Sequence, residues 1–430
     1  MKLGLTMKKS KSIQILKQQG IIKFIKYKLN KIIDKYIKKI NKLYEYILLI
    51  FLIYFKKTPF KKPYKFILQT YAVSAHWALK EFLTYSGNLQ NFLLYHDRHI
   101  NLNNCKNNDY YVEFRYWLDY KPLYFFINKL LIHKTPILIL TRDPISRLKT
   151  GINHGDSKEE LDGVRSVNKT FNLQDNLNIS LDRIRFENKN GYNINQKIPS
   201  LDSIYYMINV KLNFKYFSNI KYIKSKDILY IDAKELSPKN AFNTIKKLSN
   251  KLKFTSPSES DKQKYENILW NEFAWFLPYR LLIDNDILIV VADENRVFLD
   301  NDENYTYIKE NLIDIKKYLV DDKNKLFDKI SINIQTSNWQ IIQNNEILID
   351  KLKKYFKEFM IVLEEKVNER KNNLVTEEDV LNFLKEHKDI RDKLKNILDY
   401  ELQHIKENRP DIIDSWEYYQ KFIKLCNEEG

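Results

Sequence analysis

Lys134–His154 reads KTPILILTRDPISRLKTGINH. Its apolar centre, Ile137–Leu140, does not alternate with polar residues, the pattern of a strand covered on both faces of a parallel sheet. The run ends at Arg142-Asp143-Pro144. Proline suits the first turn of a helix, and the aspartate before it offers a carboxylate to the exposed amides. The stretch therefore predicts a strand that passes directly into a helix. Arg142 then stands at the strand's carboxyl end beside a helix N-terminus, where open α/β sheets bind anions. Arg147 and Thr150 follow one to two turns on. A guanidinium fork, a hydroxyl and backbone amides suit a phosphate better than a base edge or a metal, and no metal site is expected.

Outward from this stretch, short apolar runs alternate with helical ones. Residues 64–69 (YKFILQ), 136–140 (PILIL) and 227–231 (DILYI) read as strands. Trp77–Tyr85 reads as a helix, as does the stretch from about Ala241 to Leu252. The expected fold is α/β, a mostly parallel sheet flanked by helices, over residues 64–255. Within it, about Gly155 to Ser200 is rich in Asn, Asp, Ser and Lys and reads as a long loop or lid. From 256 to 430 a mixed region gives way to helices. Ile287–Ala292, Arg296–Leu299 and Ile330–Gln335 look like strands, and Ile347 onward is amphipathic helix, broken near Asn372 and at Pro410. Thr376 followed by Glu377, Glu378 and Asp379 predicts a capped helix start.

The charge is unevenly spread. Of a formal +17 over 430 residues, residues 1–65 carry 18 lysines, no arginine and only Asp34 and Glu45. The rest of the chain is close to neutral, which disfavours a protein that coats nucleic acid. Lysine also outnumbers arginine 60 to 12, whereas base readers lean on the arginine fork. In residues 1–63, Ile22, Ile25, Leu29, Ile32, Tyr36, Ile40, Leu43 and Ile47 recur at helical spacing between lysines. Tyr46–Phe55 is uninterruptedly apolar, yet about twenty such residues are needed to span a bilayer. The run also starts too late for a secretory signal. This basic helical extension is expected either to pack on the protein's own body or to lie on an anionic membrane surface; the second reading is adopted, with a cytoplasmic, inner-membrane-peripheral location. Two cysteines, Cys105 and Cys426, make neither a disulfide scaffold nor a thiolate site.

Arg-Asp-Pro-x-x-Arg-x-x-Thr-x-x-x-His after a buried strand resembles the sulfotransferase family, particularly its carbohydrate-modifying branch. The resemblance implies a P-loop-like fold and the donor 3′-phosphoadenosine 5′-phosphosulfate, with Arg142 and Thr150 on its 3′-phosphate and Arg147 supporting them. It implies a glycan or glycolipid acceptor. Asp227–Leu252 is similar to the family's later strand, acidic-Leu turn and helix. Upstream, Thr70–Trp77 stands where the family has its 5′-phosphosulfate loop, with Ser74 and His76 as donor-binding residues and Glu81 on the family's catalytic glutamate. Here the chain departs from the pattern. Val73, Ser74, Ala75 and His76 replace the loop lysine, both glycines and the threonine; His76, Lys80 and Lys65 are the nearest cations in sequence. An altered donor site, a different donor and a non-catalytic binding or scaffolding descendant all stay open.

The tail from Asn408 to Tyr419 (NRPDIIDSWEYY) resembles the ending of an uncharacterised bacterial family of unknown function. Its aromatics, Trp416, Tyr418 and Tyr419, are expected to close the last helix onto the core. His96-Asp97-Arg98-His99 reads as surface or capping residues, and His99 and His133 sit in no motif. A structural ion pair, with Asp143 or a C-terminal acid, is the other reading of Arg142. Arg280, in LPYRLLI, reads as a buried ion-pair partner.

Overall fold

β4 (Thr135–Thr141) is buried from Ile137 to Thr141, as its unbroken apolar run requires. It lies between β1 (Ile67–Thr70) and β6 (Ser225–Asp232), parallel to both, with Ile139 facing Gln69 on one side and Tyr230 on the other. The computed structural model describes residues 64–86, 89–93, 110–115, 134–154, 170–183, 199–212, 214–220, 225–266, 271–283, 287–293 and 311–428. The basic extension, His96, His99, His133 and the expected strand Arg296–Leu299 lie outside them. Apart from Lys134, the described residues belong to one compact unit.

β2 (Gln90–Leu93) and β3 (Tyr110–Arg115) complete a five-stranded sheet in the order β2-β3-β1-β4-β6, parallel throughout. Among the described residues, two helices cover one face. α1 (His76–Tyr85) buries Leu79, Phe82 and Leu83 on Phe66, Leu68 and Leu138. α4 (Ala241–Leu252) adds Phe242, Ile245, Leu248 and Leu252 to the same core. Each such side chain contributes about 1.5–3 kcal/mol through removal from water. The alternate residues Ile67, Ile137 and Ile139 point to the other face and are equally buried. α2 (Pro144–Asn153) follows β4 after two residues.

A second sheet, ordered β5-β7-β8-β10-β9, consists of Thr170–Asn172, Tyr279–Ile283, Ile287–Asp293, Ile330–Gln335 and Leu312–Asp314 respectively. β10 alternates, with Ile330, Ile332 and Ile334 turned inward. Its β5 corrects the loop expected from Gly155 to Ser200. Phe171 on β5, and Leu177 and Leu181 on α3 (Leu177–Arg183), are buried in this second core. A strand with one inward side chain leaves no apolar run to read. β5 pairs with β7, so the second sheet takes a strand from before residue 255.

α5 (Glu346–Asn372) packs Phe356, Phe359, Met360 and Leu363 on this sheet. α6 (Glu377–Glu386), α7 (Lys388–Glu401) and α8 (Glu417–Glu428) follow, with breaks at Asn372 and Pro410 as expected and others at His387 and Leu402. Thr376 caps α6: its hydroxyl accepts from the Asp379 amide at 3.1 Å, and the Asp379 carboxylate accepts from the Thr376 amide at 2.8 Å. Among the described residues no helix is long and apolar enough to cross a membrane.

Candidate functional site at the junction of β1 and β4

The chain leaves β1 toward β2 and leaves β4 toward β6, on opposite sides of the sheet. The crevice at the carboxyl ends of these two neighbours is the topological switch point, where ligands bind in open α/β sheets. Residues 71–75 after β1 and Arg142-Asp143 after β4 meet there.

The loop after β1 has an unusual backbone. Val73 and Ala75 both adopt left-handed conformations, with φ of 54° and 61°. A branched side chain is strained in that region, by about 1–2 kcal/mol. The loop is held from the β4 side. Arg142 Nη1 donates to the Val73 carbonyl at 2.9 Å, and Arg147 Nη2 donates to the Ala72 carbonyl at 3.3 Å. Ser74 is fully buried and its hydroxyl donates to the Ala72 carbonyl at 3.4 Å. Ala75 occupies the N-cap of α1 and has no side chain to offer; the first helical bond is Leu79 N–H to Ala75 O, so the amides of residues 76–78 precede it. A left-handed residue followed by a right-handed helix turns successive amides to one side, a geometry that holds anions.

The turn after β4 is built differently. One oxygen of Asp143 accepts from the Ile145 amide at 2.9 Å and the Ser146 amide at 3.4 Å, which starts α2 as the sequence predicts. Its other oxygen accepts from the Tyr418 and Tyr419 amides at 3.1 and 3.2 Å. One carboxylate therefore caps two helices, α2 and α8. Burial pushes its pKa up, and the four amides pull the other way.

Arg142 is half-buried. Burial lowers its pKa, while the nearby Glu377 carboxylate favours the charged form. Glu377, from the start of α6, accepts from Ser146 Oγ at 3.0 Å and lies 3.2 Å from Lys149 Nζ. Arg147 is fully buried: Nη1 donates to the Tyr216 hydroxyl at 2.9 Å, and its guanidinium lies 4.6 Å from the Phe214 ring centre and 5.4 Å from that of Tyr71. It props the loop from behind, so any contact with a ligand passes through the backbone it holds.

The other expected residues are distributed as follows. His76 opens α1 and is buried, its ring 5.3 Å from that of Trp77. Thr150 is half-buried, about 9 Å along α2 from its start. Glu81 is half-buried on α1, one turn before Tyr85; burial and the nearby Glu81 carboxylate push the Tyr85 pKa up. His154 ends α2 with its ring 5.4 Å from that of Trp275. Arg280 is buried on β7. The loop residues, Arg142 and Arg147 thus come together, whereas Glu81 and Thr150 sit further along their helices.

Sequence reasoning missed Glu113, Tyr216, Glu377 and the second task of Asp143. Glu113 carried one signal, a lone acid inside the strand run YYVEFR. In the tail, Trp416 and Tyr419 are buried as expected, whereas Tyr418 is only half-buried, beside Lys421. Trp416 is fully buried, and its Nε1 donates at 2.7 Å to Asp232, the last residue of β6. That carboxylate also accepts from the Lys234 amide at 2.9 Å; burial raises its pKa. Arg409 donates to the Tyr230 carbonyl at 2.7 Å and binds Asp411 through two nitrogens.

No curated protein and no solved structure matches the chain. Residues 230–429, which begin in β6 and include Asp232, Glu377, Arg409, Trp416 and Tyr419, match a family described as a protein of unknown function (DUF2972).

Proposed function

We propose that the protein is a sulfotransferase-like group transferase that holds a nucleotide donor at the β1/β4 crevice. The donor in this reading is 3′-phosphoadenosine 5′-phosphosulfate and the acceptor a glycan or glycolipid hydroxyl. The observation that carries it is the meeting of the Arg142 fork with the left-handed loop and the N-terminus of α1 at the switch point. Both features suit a phosphate: one by a charge-assisted fork, the other by backbone amides. The β2-β3-β1-β4-β6 order, with the loop-bearing strand in the middle, further supports a P-loop-like fold.

In this reading Arg142 and the first amides of α1 bind donor phosphate. Arg147, walled in by Tyr71, Phe214 and Tyr216, keeps the loop in shape. Ser74 does the same from inside the loop, and His76 contributes its amide. Thr150 extends the donor site along α2. Glu81 takes the acceptor hydroxyl's proton as oxygen attacks sulfur. The sulfur–phosphate oxygen bond then breaks, and adenosine 3′,5′-bisphosphate leaves. The expected result is a rise in melting temperature with that bisphosphate, lost in Arg142→Ala. No rise in the wild-type protein excludes this donor, and a full rise in the variant removes Arg142 from the site.

A second reading is a non-catalytic binding protein on a degenerate transferase fold, peripheral to the cytoplasmic membrane face. A loop that has no lysine favours it. In either reading residues 1–63 are the membrane-binding part. Binding to anionic liposomes that disappears when they are deleted supports this; duplex binding with steep salt dependence would instead indicate nucleic acid.

A further inference from the structure

We infer that Lys80 is a second donor-binding cation, on the opposite side of the loop from Arg142. The inference rests on the donor site proposed above. Glu113 is fully buried on β3, where a carboxylate is costly unless it is paired. Thr70 Oγ1 donates to its Oε1 at 3.2 Å, and Lys80 Nζ lies 3.6 Å from its Oε2. Lys80 stands one turn into α1, and long helical side chains lean back toward the N-terminus. Its ammonium accordingly lies 4.9 Å from the centre of the Trp77 ring. These contacts put the charge beside Thr70, the last residue of β1, where the loop begins. β3 and β4 are the two neighbours of β1, so the loop leaves the sheet between Lys80 on one side and Arg142 on the other.

The other nearby cations do not meet this geometry. Lys65 precedes β1 and therefore lies toward the amino end of the sheet, away from the loop. His76 is buried against Trp77. Fold stability is a poor reason for Lys80 to be where it is, because apolar replacements of buried ion pairs are often neutral or stabilising. A use for the charge explains it better. Glu113 and the Trp77 ring fix the direction of an otherwise flexible ammonium, and a donor with several negative oxygens needs more than one cation.

Titration calorimetry with adenosine 3′,5′-bisphosphate on the full chain tests this. Lys80→Ala leaves Glu113 buried without its lysine and can unfold, so the deciding variant is Lys80→Met with Glu113→Gln, which removes both charges together. If Lys80 binds the donor, this double variant loses at least about tenfold in affinity, as loss of a charge-assisted hydrogen bond implies. Lys80→Arg, which keeps the charge, loses less. Wild-type affinity in a folded double variant overturns the role of Lys80 and leaves the Arg142 site standing. A wild-type chain that does not bind the bisphosphate overturns both.

Discussion

Two strand-to-helix turns lie side by side at the carboxyl end of the parallel sheet, and they are built on opposite plans. The turn after β4 uses a side chain: Asp143 takes four amides from two helix ends and leaves little for a ligand. The turn after β1 uses the backbone, with left-handed Val73 and Ala75 and a helix whose cap residue is an alanine. Helix amides need an acceptor. Where a side-chain carboxylate takes the amides the turn is a structural joint; the cap of α1 brings no such side chain, and the function proposed above puts the donor phosphate there. A carboxylate thus makes the joint in one turn, while in the other strain is retained beside two cations, as is common where a site must be preorganised.

The largest effect expected from breaking this contrast is at Asp143. Asp143→Ala removes the cap of both α2 and α8 and should cost about 1–4 kcal/mol in urea unfolding, since each lost cap is worth roughly 0.5–2 kcal/mol. Asp143→Asn should also destabilise, by more than about 1 kcal/mol, because its amide nitrogen would face two N–H donors. A variant at wild-type stability would show that one carboxylate is not what joins the two helices.

Trp416→Phe keeps the buried ring but removes the donor to Asp232, and about 1–3 kcal/mol should be lost. Asp232 and Asp143 both have raised pKa values, so the folded state binds protons more tightly than the unfolded one. Their contribution to stability therefore grows as pH falls through the folded pKa toward the ordinary value of 3.8, and shrinks as pH rises. Trp416→Phe should steepen that dependence. Urea midpoints from pH 4 to 7 measure it, and an unchanged slope would separate Trp416 from the titration of Asp232.

Thr376→Ala should cost about 1 kcal/mol at neutral pH. Here the sign is reversed. The capping bonds hold the Asp379 pKa below its ordinary 3.8, so this contribution is complete above that value and lost as pH falls through the lowered one. The gap between wild type and variant should therefore close in acid.

The smallest effect falls on the strained turn. Val73→Gly relieves about 1–2 kcal/mol of left-handed strain and adds about 0.5–1 kcal/mol of unfolded-state entropy. A net gain of about 0.5 kcal/mol is expected. A clear loss of stability would mean that the valine side chain, rather than the shape of the loop, is what this position needs.

Much of this contrast is legible in the sequence. β4 could be read because burial on both faces forces an unbroken apolar run, and the start of α2 because Asp143 and Pro144 act on residues next to them. The same holds for Thr376 with Asp379, and for α4, which the sequence places at about Ala241 to Leu252. β5 was not legible, since a strand of three residues with one buried Phe171 has no periodicity. Val73 was not legible either: nothing local asks a valine to be left-handed, and Arg142 holds its carbonyl from 69 residues away while Arg147 holds that of Ala72 from 75.

The division follows the range of the forces. The sequence alone determined β4, the caps at the starts of α2 and α6, the position of Arg142 at a strand end and the concentration of charge in residues 1–65, because each depends on neighbours within a turn or on composition. The tertiary structure decided that Asp143 serves a helix 275 residues away, that Arg147 is enclosed by aromatic rings, and that Lys80 is bound to Glu113 beside the loop. Such pairings form only after the chain has closed long loops. The cost of that closure depends weakly on sequence, so no local pattern records which partners will meet.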